Sequence, residues 1–325
     1  MSAKRRLVVP VGDPAGVGPW VSIAAARAVG DRASVRLIGD ARQLRALAPE
    51  LDVIDVGAVS EGAIAAHAAT EEGGRAQIAA LDRAIDEVMA GRADAIVTGP
   101  VNKAAITRTG TAFVGQTEHL ARRCKLADDA VTMMFLGPRL NVALVTTHLA
   151  VRDVPHEITE ARVARATLHL AAALMRIGVP RGSKLVVTGL NPHAGEDGLF
   201  GDEEPRAIGP ALARLRSEEP FASGALLLEG PTPAEAAFRF AADARVVGVV
   251  AMMHDQATIA SKLLDWGHAV NVTWGLPFVR TSVDHGVGYE AARSGVIEST
   301  GMIAAAELAL VLINAPAATS ASIGS

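Results

Sequence analysis

Val246-Val-Gly-Val-Val-Ala-Met-Met-His-Asp-Gln256 is a run of β-branched and apolar residues that ends on an imidazole and a carboxylate. Read as a buried strand over Val246 to Met252, it delivers His254 just past the edge of a sheet. The same arrangement occurs twice upstream. Asn141 to Thr147 leads into His148, and Lys184 to Thr188 leads into Gly189-Leu-Asn-Pro-His193. Between these runs, Val163 to Met175 and Pro205 to Leu215 carry apolar residues at helical spacing. The N-terminal part repeats the alternation. Leu7 to Val11, Val35 to Ile38 and Ala95 to Thr98 read as strands, residues from about Pro19 to Val29 and Arg75 to Met89 as helices, and Gly91 as a C-cap. Short strands alternating with helices predict an α/β fold with helices on the faces of the sheet.

Composition narrows the function classes. A chain of 325 residues suits one large α/β unit or two lobes on a shared sheet. Half of it is hydrophobic but only 3% is aromatic, so Ala, Val and Leu must fill the interior. A net charge of −4, with no block of Lys or Arg, offers no electrostatic footprint for nucleic acid. One cysteine, Cys124, rules out an intrachain disulfide and fits a reducing cytosol. Leu7 to Val11 is too short for a signal sequence, and no apolar span reaches membrane length. The expectation is a cytoplasmic protein without a membrane partner. The tail from Pro316 onward has small-residue composition and is expected to be frayed.

Three histidines in separate strand-end motifs suit a catalytic zinc centre. Borderline-soft Zn²⁺ favours nitrogen and keeps a fourth position open for water or substrate. The competing reading makes each a hydrogen-bonded core histidine. Gly12-Asp-Pro-Ala-Gly-Val-Gly18 is either an anion cradle built of backbone amides or a structural turn. It matches neither a dinucleotide fingerprint nor a P-loop. Thr98-Gly-Pro-Val-Asn-Lys103 ends a strand with an amide and an ammonium. Gly115-Gln-Thr-Glu-His-Leu120 enters a helix with Gln116 and Thr117 near its positive end, as a phosphate contact or as a simple cap, and His119 there reads as packed. Lys262 follows His254 by eight residues, about two helical turns. Arg280 interrupts the apolar run Leu276-Pro-Phe-Val279. It requires either a bound carboxylate or phosphate or an internal salt bridge. Asp284-His285-Gly286 reads as a further metal-like element, an adenine contact or a helix cap.

These motifs occur together and in order: Gly-Asp-Pro-Ala-Gly-Val-Gly-Pro19, Gly-Pro-Val-Asn-Lys103, Gly-Gln-Thr-Glu-His-Leu120, Thr-Thr-His-Leu149, Leu-Asn-Pro-His-Ala-Gly-Glu196, His-Asp-Gln256 and Leu-Pro-Phe-Val-Arg-Thr-Ser-Val-Asp-His-Gly286. As a set, spread over residues 6 to 312, they closely resemble the PdxA family, the 4-hydroxythreonine-4-phosphate dehydrogenases of vitamin B6 biosynthesis. The resemblance implies an isocitrate/isopropylmalate-dehydrogenase-like α/β fold, two lobes sharing a continuous mixed sheet with helices on both faces. The expected nucleotide-side lobe is residues 1–128 plus 267–325, and the metal and dimer-interface lobe is residues 129–266. The resemblance further implies a homodimer with the active site shared between subunits. The expected reaction is NAD- or NADP-dependent oxidation of a small phosphorylated hydroxy acid, followed by decarboxylation. His148, His193 and His254 match the family's ligands for a divalent metal, with zinc expected and magnesium or cobalt as alternatives. Thr117, Lys262, Asn271 and Arg280 match its substrate contacts, with Gln116 beside them. Lys103 and Asp255 are the candidates for proton transfer, from their placement beside these motifs. Asn191, Glu196, Asp284, His285 and Gly286 are the candidate cofactor contacts.

The chain departs from the family pattern around the site. Gln116 stands where the family usually has His, Trp20 where it has Glu, Met253 where an aromatic residue precedes His-Asp-Gln, and Glu235-Ala236 where Asp-Thr is common. Val287-Gly-Tyr-Glu290 replaces the usual Thr-Ala pattern after Asp-His-Gly. These changes leave three alternatives open for the substrate or chemistry. One is a 4-phospho-threonate or erythronate dehydrogenase of sugar-acid catabolism. The second is a cis-dihydrodiol dicarboxylate dehydrogenase, disfavoured because Thr117 and Arg280 suit an anionic tail. A zinc hydrolase is the third, and it lacks an H-E-x-x-H helix and leaves Lys262, Asn271 and Arg280 without a role.

Overall fold

The structure is a computed structural model that describes residues 4–315. The tail from Pro316, expected to be frayed, lies outside the described residues. In chain order the strands are β1 (Arg5–Pro10), β2 (Ala33–Gly39), β3 (Asp52–Asp55), β4 (Ala95–Thr98), β5 (Thr132–Leu136) and β6 (Asn141–Leu144). They continue as β7 (Ser183–Thr188), β8 (Leu226–Thr232), β9 (Gly248–Ala251), β10 (Val270–Trp274) and β11 (Val279–Ser282). The chain divides into two compact units. Unit 1 holds residues 4–131 with Val270–Asn314, and unit 2 holds Thr132–Ala269.

Unit 1 orders its strands β3-β2-β1-β4-β11-β10. All its pairs are parallel except β10, which returns antiparallel along β11. The helix Glu71–Met89 covers this sheet. Thr70 caps its first turn by accepting from Gly73 N–H at 3.0 Å, and Glu71 and Glu72 complement its positive end. Its buried face (Ala80, Leu81, Ala84, Ile85) packs with Val8, Ile38 and Ile96 of the strands. Gly91 stands just past its end at φ +68°, the left-handed conformation a helix stop favours.

Unit 2 orders its strands β5-β6-β9-β7-β8. β5 and β6 form an antiparallel hairpin, and β6, β9, β7 and β8 run parallel. The three strands that lead to the histidines are therefore consecutive neighbours, β6-β9-β7, with their C-terminal ends on one edge. Val142, Leu144, Val186 and Val249 make the core there. Two of the predicted strands end early, at Leu144 and Ala251. Beyond them Val145 N–H still donates to Ala251 O and Thr146 N–H to Met252 O, so the pair stays joined until the chain turns outward. The helix expected over Pro205 to Leu215 is compound: a π-turn over Glu204–Ile208 precedes the α-helix Gly209–Leu215. Pro210 has no N–H to return to Arg206, so the turn widens there without breaking. Among the described residues no helix is long and apolar enough to cross a membrane.

Candidate active site

Unit 1 gathers neutral oxygens around one buried cation. Arg280 lies on β11 with Thr273 and Asn271 on β10 beside it, and β4 ends on its other side at Thr98. Only 3% of Arg280 is exposed. Its Nη1 donates to Asn271 Oδ1 and Thr273 Oγ1, both at 3.0 Å. Its Nη2 donates to Thr98 Oγ1 at 2.8 Å and Gln116 Oε1 at 2.7 Å. All four acceptors are neutral, and the buried Nε has no partner. Burial pushes the guanidinium down to about 9, with Glu118 pulling the other way, so it stays charged at neutral pH. The internal salt bridge weighed against a bound anion is not what Arg280 makes in these direct bonds. Thr117, 8% exposed, stands at the start of the helix Gln116–Arg123, its hydroxyl 3.3 Å from Thr273 Oγ1. Gln116 is fixed at both ends, because its Nε2 donates to Gly99 O at 3.0 Å. A buried cation, a hydroxyl and a helix start in one place suit an anion.

The Gly-rich turn 12–18 serves packing, and four of its amides are engaged within the protein: Asp13 N–H on Pro100 O, Ala15 N–H on Asp13 Oδ1, Gly16 N–H on Asp13 O and Val17 N–H on Val287 O. A Cβ on Gly16 would fall 2.3 Å from Val287 O, so glycine serves close backbone packing there. His119 is packed, as expected, with Nε2 2.7 Å from Asp82 Oδ1. Lys103 begins the short helix Lys103–Thr107, capped by Asn102, and is exposed.

In unit 2 the histidines are not core residues. His148 and His193 are exposed and His254 is half-buried. His148 and His254 come together, with ring centroids 5.5 Å apart and planes tilted by 43°. Two imidazoles on one tetrahedral ion, each nitrogen about 2 Å from it, have centroids roughly 5 Å apart. The pair therefore fits two metal ligands. Asp255 Oδ1 lies 2.8 Å from His254 Nδ1, which fixes the ring and leaves Nε2 to bind. Asp255 thus orients a histidine, a contact its placement in the sequence did not announce. His193 lies apart, its ring 6.4 Å from Phe200. Among the described residues no three His, Cys, Asp or Glu side chains gather as a metal site.

Backbone conformation accounts for the position of His193. His193, Ala194, Glu196 and Asp197 all have φ between 43° and 56°, an unbroken left-handed stretch through Gly195. Glu204 holds this loop from beneath, accepting from Leu190 N–H and Asn191 N–H at 2.8 Å each and from Asn191 Nδ2 at 2.9 Å. The side chain of Asn191 is thereby engaged, and Glu196 is exposed. Gln256 ties the ends of β9 and β7 together, accepting from Met252 N–H at 2.9 Å and donating to Gly189 O at 3.3 Å. Lys262 projects from the helix His254–Leu264 with its ammonium 5.6 Å from the Trp266 ring. Glu204, Gln256, Thr98 and Thr273 were not singled out from the sequence. The one available signal was a buried-type acidic pair, Glu203-Glu204, set just before a proline.

The α/β fold, the histidines at strand ends and the buried Arg280 agree with what the relatives of this chain identify, an NAD(P)-dependent oxidoreductase. Residues 15–309 match the family described as "Pyridoxal phosphate biosynthetic protein PdxA", and the chain belongs to that family. It is 38% identical to the 4-hydroxythreonine-4-phosphate dehydrogenase of Burkholderia vietnamiensis, over 96% of this chain and 97% of that one. A solved structure of a putative 4-hydroxythreonine-4-phosphate dehydrogenase from Salmonella typhimurium superposes with a TM-score of 0.80 at 32% identity, covering 96% of this chain and 100% of the other. Isocitrate dehydrogenase from Methylococcus capsulatus, 13% identical with a TM-score of 0.56, covers 95% of this chain and 86% of its own, and it shares the fold.

Proposed function

We propose that this protein oxidises the secondary hydroxyl of a 4-phosphorylated hydroxy acid with NAD or NADP and that the product then loses CO₂. The substrate we favour is 4-hydroxythreonine 4-phosphate, in pyridoxine phosphate biosynthesis. The observation that carries this reading is Arg280, a buried cation bonded to four neutral oxygens with an unpartnered Nε. A charge so placed is costly until an anion completes its shell. Thr117 adds a hydroxyl to the same anion, and Asn271 fixes the guanidinium plane. In the other unit, His148, His193 and His254 would hold a divalent metal, and zinc suits their nitrogen donors. Bound there, the metal would supply Lewis acidity at the substrate hydroxyl, and the nicotinamide would accept the hydride. His193 has to swing on its left-handed loop to complete the set. Lys262 is assigned to the substrate's charge, Lys103 to proton transfer, and Asn191, Glu196, Asp284, His285 and Gly286 to the cofactor. In this reading unit 1 is the nucleotide-side lobe and unit 2 the metal and dimer-interface lobe.

Gln116 favours a second substrate. Its carboxamide is uncharged and already committed at both ends, so it cannot supply a further charge to the anion. A 4-phospho-threonate or erythronate is therefore the alternative acid. Nicotinamide absorbance, followed with each phosphorylated acid and its dephosphorylated form, separates the readings. Turnover that is equal with and without phosphate would overturn the role of Arg280. The metal assignment has its own test. Chelation should abolish turnover, and His254→Ala should lose metal affinity by calorimetry while keeping its circular dichroism spectrum.

A further inference from the structure

Unit 1 contains a second, partly buried polar knot beside the Arg280 cluster. Asp13, 1% exposed, accepts from Ala15 N–H at 2.9 Å through Oδ1. Its Oδ2 accepts from Gln77 Nε2 at 2.9 Å and from the Tyr289 hydroxyl at 2.6 Å. The same hydroxyl accepts from Asn102 Nδ2 at 3.0 Å. Asn102 N–H in turn donates to Gln77 Oε1 at 2.6 Å. The bonds close into a ring, Asp13–Tyr289–Asn102–Gln77, that joins the Gly-rich turn, the helix Glu71–Met89, the loop after β4 and the start of the helix Tyr289–Ser294. Tyr289 is the one tyrosine in the chain, and its hydroxyl both donates and accepts within the ring.

The ring sits at the end of the segment 284–288, in which His285, Gly286 and Gly288 are exposed. Two bonds fasten its C-terminal end: Val17 N–H to Val287 O at 2.9 Å, and the Tyr289 hydroxyl one residue past Gly288. Gly288, at φ +58°, supplies the turn into the helix. An exposed segment fixed at its end by a charge-assisted hydrogen bond is ordered before any ligand arrives, and a ligand that contacts it has less ordering to impose. We propose that Tyr289 is a positioning residue for the nicotinamide cofactor, its hydroxyl fixing the segment 284–288 through Asp13 and Asn102. This rests on the assignment of Asp284, His285 and Gly286 to the cofactor. None of the four ring residues bonds to Arg280, although Gln77 lines the same small cavity as Thr98 and Gln116, so removing the Tyr289 hydroxyl leaves the four bonds of the guanidinium in place.

Tyr289→Phe keeps the aromatic ring and removes the hydroxyl. Loss of a hydrogen bond to a charged acceptor should raise the cofactor KM, and the Kd from reduced-cofactor fluorescence, by about 5–20-fold. The substrate KM should change by less than about twofold, and amide exchange should quicken at 284–288 and not in the β-sheet. A purely structural role would lower Tm and weaken cofactor and substrate together, and that result overturns the proposal, as does unchanged cofactor affinity in a variant whose wild-type parent binds normally. A wild-type chain that binds no nicotinamide dinucleotide overturns the cofactor assignment and the proposal with it, which distinguishes the two failures.

Discussion

Arg280 shows how far a single residue can be read. A cation interrupting an apolar run demands a partner, and that logic found it in the sequence. The sequence could not show that its bonded partners would be neutral, since Thr98, Asn271 and Thr273 converge only through the register of β4, β10 and β11, and Gln116 joins them from the helix Gln116–Arg123. Arg280→Ala strips the charge and leaves those oxygens facing a void. It should cost about 2–5 kcal/mol of transition-state binding, roughly 30-fold to 5,000-fold in kcat/KM, with the fold retained. Arg280→Lys should recover little of that, because one ammonium cannot span acceptors that lie on both sides of a planar fork. Steady-state kinetics on the phosphorylated acid decide this, and a loss below about threefold for the alanine variant would remove Arg280 from the anion site. Gln116 is the finer determinant. An imidazole at 116 can carry charge where the carboxamide cannot, so Gln116→His should shift preference toward 4-hydroxythreonine 4-phosphate and away from 4-phosphothreonate. Competition between the two acids with each variant measures the shift, and an unchanged ratio would exclude Gln116 as a selector.

At the scale of elements, the strands before the histidines were legible because apolar runs with turn residues after them leave little ambiguity. β3, β5, β8, β10 and β11 were not read as strands. β3 is a four-residue segment flanked by Asp, β8 runs through Gly-Pro, and the fully buried β5 reads as an apolar run that a helix could equally use. The loop that carries His193 was illegible for another reason. Left-handed non-glycine residues leave no local signature, and each costs of order 1 kcal/mol that the surroundings must offset. Glu204 provides that support, so Glu204→Ala should leave the amides of Leu190 and Asn191 without acceptors. The expected result is a loss of about 1–3 kcal/mol, a Tm lower by several degrees and faster exchange at 190–201. Wild-type exchange in this loop would show that its shape does not depend on Glu204. The helix Glu71–Met89 carries a second dependence. Glu87 is fully buried among Arg36, Arg83 and Arg92. Hydrogen bonding from Arg92, with the charges of all three arginines, holds its carboxyl down to about 2 against an ordinary 4.5. A depressed carboxyl contributes stability that is complete above its unfolded pKa and disappears as pH falls through its folded one. Tm should therefore drop between pH 4.5 and 2, and Glu87→Gln should flatten that part of the profile while lowering its plateau. A variant whose acid limb matches wild type would show that other carboxylates control acid unfolding.

At the scale of the whole molecule, seven of the nine large apolar side chains left exposed among the described residues of unit 2 follow the histidines, Met175 and Leu227 being the exceptions. Leu149 and Val151 come just after His148, Leu199 and Phe200 just after His193, and Ile259, Leu263 and Trp266 after His254. The last three are spaced by four and three residues, one stripe along the helix His254–Leu264 and its exit, with Leu263 79% and Trp266 77% exposed. Scattered exposed apolar residues are ordinary, whereas a set gathered around a functional edge marks a surface that something covers. A second copy of this chain is the proposed cover, which would place the metal-binding edge of one subunit at the interface and make dimerisation a condition of activity. On a free surface Leu263→Glu would be nearly neutral for folding. On a dimer interface it buries a charge without a partner, so light scattering should give the monomer mass at concentrations where wild type is dimeric, and turnover should fall in parallel. Mixing His254→Ala with Arg280→Ala protein then distinguishes a shared site from a dimer of self-sufficient subunits. Recovery of part of the activity requires one subunit's histidines to serve beside the partner subunit's anion pocket. No recovery in a mixture shown to exchange subunits would confine each reaction to one chain, and a Leu263→Glu variant that stays dimeric would move the interface off this helix.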